Sequence, residues 1–205
     1  MSPAERLRLG RRGAAAAEFC LLVPVFFLLV VAGADVIRFF RAQLKVETIA
    51  VQLGQVVSQC RRITDPGDTS AFWAHAQRIA AGSIDVNSGT GGAVIITAIS
   101  RNNNANRALW RKRTGNVNFT SSVGSSVPGP ATIAEGFVVP AGQLLMVTEV
   151  FAIVRPWILS AGLIGNVLPS AINGTTLFLS RSPDPTPLEA DPADAANPNA
   201  PDCTA

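Results

Sequence analysis

Tyrosine is absent from the 205-residue chain, and histidine occurs once, at His75. With one imidazole there is no Cys/His cluster, and the three cysteines, Cys20, Cys60 and Cys203, form no C-x-x-C pair, so no metal or cofactor site is expected. No Ser, Cys or carboxylate stands in a nucleophile or acid/base motif, and His75 beside Trp73 reads as a structural or surface residue. The glycine-rich run Ser88-Gly89-Thr90-Gly91-Gly92 lacks the Gly-Lys-Ser/Thr ending of a phosphate loop and reads as a hairpin connector. An enzyme is not expected. Charge is also scarce, at 15% of residues, and the net +3 belongs to residues 1–13, beyond which basic and acidic groups are equal in number. The basic pI therefore carries no message about nucleic acid, and Arg111-Lys112-Arg113 reads as a solvated strand face.

One long apolar run is present, and it organises the chain. Residues 14–34 carry a single charge, Glu18, and a helix of that length matches a hydrocarbon core of about 30 Å. Arg6, Arg8, Arg11 and Arg12 precede it, so the positive-inside rule keeps the N-terminus cytoplasmic and places everything after Ala34 outside. An ionised carboxylate in hydrocarbon costs about 2.5–3.5 kcal/mol or more, so Glu18 needs a partner or a place at the interface, where it reaches water. The same stretch supports another reading: residues 19–31 are apolar and Ala32-Gly33-Ala34 resembles a signal-peptidase site, which would release a soluble domain starting at Asp35.

Past Asp35 the helical pattern continues. Val36, Phe39, Phe40, Val46, Ile49, Ala50, Leu53, Val56, Val57 and Cys60 recur mostly at steps of three and four, which extends the helix over 35–62 to the stop signal Asp65-Pro66-Gly67. This half either lies on its own domain or packs against neighbouring subunits. A second helix is expected over 69–83, capped by Asp68 or Thr69. Strands are expected over 94–100, 109–113, 143–155 and 175–181, the first two as a hairpin around the Asn-rich 101–107 segment. Residues 157–172 are interrupted by Gly162, Gly165, Asn166 and Pro169 and read as a loop packed on the sheet. The tail 183–205, with six Pro and five acidic residues, cannot support a core and is expected to be disordered. Cys20 reads as a small apolar residue in the membrane segment, whereas Cys60 and Cys203 lie where disulfides form and either pair or remain separate thiols.

A basic leader ending in Gly13, Glu18 at the fifth position after it, Phe19 and a long apolar helix containing Pro24 resemble a type IV prepilin processing site, and specifically the TadE/TadG-like minor pilins of Tad/Flp tight-adherence systems. Trp110-Arg111-Lys112-Arg113, Glu149-Val150-Phe151, Arg155-Pro156-Trp157 and Arg181-Ser182-Pro183 are similar to later positions of that family, although Phe stands where it favours Tyr after the Glu. The resemblance implies cleavage by a prepilin peptidase between Gly13 and Ala14, and assembly through Glu18 and Phe19 with other pilin subunits and an assembly platform. The new α-amino group would pair with Glu18 of a neighbouring subunit.

The expected architecture is α+β: a basic leader (1–13), a transmembrane helix (14–34), its amphipathic continuation (35–62), a small antiparallel-sheet head (63–182) and the tail (183–205). The expected function is that of a single-pass minor pilin in the bacterial inner membrane, its head extracytoplasmic, serving pilus assembly and surface adherence. The alternatives are the domain secreted after Ala34 and an uncut periplasmic protein on one membrane span.

Overall fold

A computed structural model describes residues 3–60, 63–133, 136–155, 168–181, 188–189 and 203, with backbone alone for 3–12, 14, 15, 188 and 189. The described residues fall into two compact units, one reaching Phe40 with 155 and 168–170, the other made of Arg41–Val154 and residues from Ala171 on. Helix α1, Pro3–Gln59, runs through both. It begins at Pro3, ahead of the expected helix start at Ala14. The expected stop at residue 62, the Pro156-Trp157 and Ser182-Pro183 positions, the 157–167 part of the loop and all of the tail except 188, 189 and 203 lie outside the described residues.

The second unit is an α+β head. Its elements are the 41–59 part of α1, β1 (Ile63–Thr64), α2 (Gly67–Ala80), β2 (Ala93–Asn102), β3 (Ala105–Gly115), β4 (Gly129–Pro130), β5 (Leu144–Ile153), β6 (Ala171–Leu179) and β7 (Leu188–Glu189). The main sheet is antiparallel with strand order β4-β3-β2-β5-β6, and β1 and β7 form a separate parallel pair. The four expected strands are the four long ones. The two-residue strands carry too few side chains to show a period.

Burial explains the strand patterns. β2 is central and covered on both faces, so Ala93 to Ile99 form an unbroken buried run without polar alternation. β6 is an edge strand, and its residues alternate between exposed and covered. The β2–β3 turn is tighter than the Asn-rich segment implies: only Asn103 and Asn104 separate the strands, both at positive φ (49° and 65°), a region Asn tolerates.

One face of the sheet receives α1. Gly174 of β6 lies against Val46 and Glu47, Gly54 lies against Thr176 and Phe178, and Thr176 Oγ1 donates to the Ala50 carbonyl at 2.8 Å. The sheet register carries this even-numbered face across Met146, Thr148 and Val150 of β5 to Ala98, Ile96 and Val94 of β2. Val46, Ile49, Ala50, Leu53 and Val57 are fully buried. The outer half of the helix thus lies on its own domain. On the odd-numbered face, the segment after β3 contributes Val123, Ala131, Ile133 and Val139 to a core with Ile99, Ala108, Leu145 and Val147.

Helix α2 starts at Gly67, two residues earlier than expected, and neither Asp68 nor Thr69 caps it: the N-cap is Pro66, without a side-chain bond. The Asp68 carboxylate is used elsewhere, as described below. The helix ends at Ala80, followed by Ala81 in the left-handed region (φ 48°), and Lys45 of α1 donates to the Ala80 carbonyl at 2.9 Å, placing a cation on the negative helix end. Ser88 to Gly92 connects α2 to β2 rather than two strands.

At Gly92 the backbone of β5 comes too close for any side chain. An added Cβ would lie 1.8 Å from the Phe151 carbonyl oxygen, whereas one at Gly89 would meet nothing within 4 Å. Gly92→Ala is expected to lower stability by about 3 kcal/mol through forced backbone displacement, and Gly89→Ala to change it by less than about 0.5 kcal/mol; urea unfolding of both variants checks this.

Candidate functional site

The first group of candidate residues lies on α1. Gly13, Ala14, Glu18 and Phe19 follow one another on continuous helix, and Gly13 and Glu18 are exposed while Phe19 is 68% exposed. The apolar run beyond them is exposed as well: Leu21, Phe26 and Leu29 are among many large side chains left open. Among the described residues this is the one helix long and apolar enough to cross a membrane, and its apolar window is only 11% buried. A soluble core helix would bury such a face; a lipid-facing helix leaves it bare. At the far end of the run Asp35 is buried and bound to Arg38 Nη1 at 3.2 Å, so a charge pair follows the apolar segment directly.

The second group lies where α1 ends. Cys60 and Cys203 are joined by a disulfide with Cα atoms 4.8 Å apart, across 143 residues of sequence. Asp68 holds the same place together: its Oδ2 accepts from Thr64 N at 2.8 Å and Thr64 Oγ1 at 3.0 Å, and its Oδ1 accepts from Cys203 N at 2.9 Å. Beside it β1 pairs with β7. Asp68 was legible only as a capping residue, because Asp just before an apolar helical pattern signals a cap and nothing local reveals a bond to residue 203. Cys20 is free and exposed.

The third group is the set of charged residues that the sheet assembles. Register places Arg113 opposite Ile95 and Ile95 opposite Glu149, with Arg111 opposite Thr97 in the next row of the same face. Glu149 is 1% exposed; it accepts from Ser122 N at 2.8 Å, from Ser122 Oγ at 2.6 Å and from Ser121 Oγ. Arg111 donates from Nε to Thr97 Oγ1 at 3.0 Å. Burial lowers its pKa, the Glu149 charge opposes that, and Arg113 adds to it. Lys112 points to the other face and pairs with Asp65. Burial raises the Asp65 carboxyl, but bonds from Lys112 and Thr69 and the Lys112 charge outweigh it, leaving its pKa below the ordinary carboxylate value. The basic cluster is therefore not a uniformly solvated face. The Trp110-Arg111-Lys112-Arg113 and Glu149-Val150-Phe151 segments, far apart in the chain, flank β2 on opposite sides.

No set of three or more candidate metal-binding side chains occurs among the described residues. The long N-terminal apolar helix fits a single-pass anchor, and the fold beyond it is an α+β head. Residues 13–55 match the family model for TadE-like protein, which is consistent with a TadE-like protein of the Tad pilus system. That family is not an enzyme family. The match starts at Gly13, covers the apolar run and ends inside α1, before the sheet begins. No curated protein and no solved structure matches the chain.

Two expectations follow from the head. Replacing Cys60 and Cys203 together by Ser removes a crosslink whose loop-entropy contribution is about 4–5 kcal/mol at most; thermal melting with and without reductant should show a loss for the parent protein and none for the variant. Asp65 is held below its unfolded pKa, so its pairing stabilises fully above the unfolded value of about 4 and is lost as pH falls through the lower folded value. Lys112→Ala should cost about 1 kcal/mol or less near pH 7, and the difference from the parent should shrink on acidification below about pH 4, as read by urea titration across pH.

Proposed function

We propose that the chain is a membrane-anchored minor pilin of a Tad/Flp-type apparatus in the bacterial inner membrane, acting in pilus assembly and surface adherence rather than as an enzyme. The observation that carries this reading is the family match from Gly13 through residue 55, which spans both the leader boundary and the helix beyond Ala34. A signal peptide cut after Ala34 would divide that matched segment, and α1 runs through the junction without a break. The exposed apolar run supports a lipid-facing helix, and the leader arginines support an N-in, C-out orientation.

In this reading a prepilin peptidase removes residues 1–13 by hydrolysing the Gly13–Ala14 bond. The new amine of Ala14 is cationic at neutral pH and pairs with Glu18 of a neighbouring subunit, offsetting the cost of a carboxylate at the edge of hydrocarbon. Phe19 and the apolar run pack with other pilin subunits on the assembly platform. The head remains outside, where Cys60 and Cys203 meet an oxidising compartment.

The test is the N-terminus of the mature protein from its native host, by intact mass and terminal sequencing. The expected start is Ala14, and Gly13→Arg should retain the leader. A start at Asp35 would overturn the proposal in favour of a secreted domain.

A further inference from the structure

The chain after β6 returns to the end of α1 at three places among the described residues. Arg181 N donates to the Ser58 carbonyl at 3.0 Å, β7 pairs in parallel with β1, setting Leu188 opposite Ile63 and Glu189 opposite Thr64, and residue 203 meets both Cys60 and Asp68. The first two contacts divide the 143-residue separation of the disulfide into shorter loops, and a shorter loop costs less entropy to close. Only the step from Glu189 to Cys203 is then left.

Asp68 supplies a non-covalent hold at that step. It is 1% exposed, and a buried carboxylate needs donors to compensate for the water it has lost. Thr64 gives two, from N at 2.8 Å and Oγ1 at 3.0 Å, and the N–H of Cys203 gives another at 2.9 Å. A hydrogen bond to an ionised acceptor is stronger than one between neutral groups. The two cysteines are also unequal in access. Cys60 is 1% exposed, whereas Cys203 is half-buried, so an oxidant in solution meets Cys203 first.

We propose that Asp68 is a positioning residue for this disulfide: it seats residue 203 beside Cys60 while both are thiols, so that the C-terminal segment closes as a strap on the end of α1 and oxidation then locks it. With oxidised glutathione as oxidant, the Cys203 thiolate attacks one sulfur and expels one glutathione thiolate. The Cys60 thiolate then attacks the Cys203 sulfur of the mixed disulfide and expels the second. The two protein thiols lose two electrons and two protons, and one oxidised glutathione becomes two reduced ones. Seating residue 203 favours the second attack, because it keeps the Cys203 sulfur within reach of a thiol that the oxidant does not meet directly. Every residue involved belongs to the unit that forms the head, so the strap holds whichever way the N-terminus is processed.

The experiment uses the full chain in detergent micelles, fully reduced and then equilibrated in mixtures of reduced and oxidised glutathione. In the reduced protein the amide of residue 203 should exchange with solvent about tenfold or more slower than an unbonded amide, and Asp68→Ala should abolish that protection. The equilibrium constant for forming the disulfide, read by alkylation of free thiols and intact mass, should fall about tenfold in Asp68→Ala, with the glutathione adduct of Cys203 rising in its place. Asp68→Asn keeps an acceptor oxygen for residue 203 and should restore part of both, which a carboxylate acting only on overall stability would not require. Free exchange at residue 203 in the reduced parent would overturn the proposal, because the disulfide alone would then hold the strap. So would an equilibrium constant unchanged by Asp68→Ala. If Asp68→Ala does not fold, exchange in the reduced parent decides.

Discussion

Close contact between the 41–59 stretch of α1 and strand β6 is the constraint on which the head depends. Two glycines make it possible, Gly54 on the helix and Gly174 on the strand; a Cβ on Gly54 would meet Phe178 and Thr176 at 2.8 Å. At that separation Thr176 reaches the Ala50 carbonyl, and Val46, Ile49, Leu53 and Val57 lose all exposure to water. Burial on this scale is the main favourable term in folding. Lys45 binds the end of α2 from the same helix, and Cys60 and Ser58 hold later parts of the chain at its far end.

That arrangement gives one helix two environments. The apolar run before Asp35 is bare on most of its circumference, while the residues after Arg41 have a buried stripe and a mixed exposed face in which Leu44, Val51 and Val56 lie among Arg41, Glu47 and Gln52. An element that is apolar all round belongs in lipid, and one with a single apolar stripe belongs against a protein core. The passage from one pattern to the other occurs within a single unbroken helix, marked by the Asp35–Arg38 pair. One continuous helix therefore carries both patterns.

Two carboxylates of the head, Asp68 and Glu149, are buried, and others are paired at its surface. Glu149 is wrapped by Ser121 and Ser122, and Lys112 is committed to Asp65. Each such group has bonds that compensate its loss of water, as buried or half-buried charge requires. Arg41, Glu47, Arg78, Asp85, Arg101, Arg107 and Arg113 remain exposed, as does the bare apolar run of α1.

The long N-terminal apolar helix and the four long strands were legible from the amino-acid sequence, because each depends on a local period or on a run of apolar residues long enough to read. The match of residues 13–55 to the TadE-like model rests on the same stretch. Helix α2 was legible in kind but shifted, since Asp68 is drawn away from capping by Thr64 and Cys203. The strand order, the two-residue strands, the placing of Ser122 on Glu149 and the edge position of β6 were not legible. They arise from pairings between residues tens of positions apart, which leave no period in the chain. Sequence by itself determined where this protein is apolar and with what repeat; the tertiary structure decided which faces meet, because only close packing at Gly54, Gly92 and Gly174 selects one register among those the repeats allow.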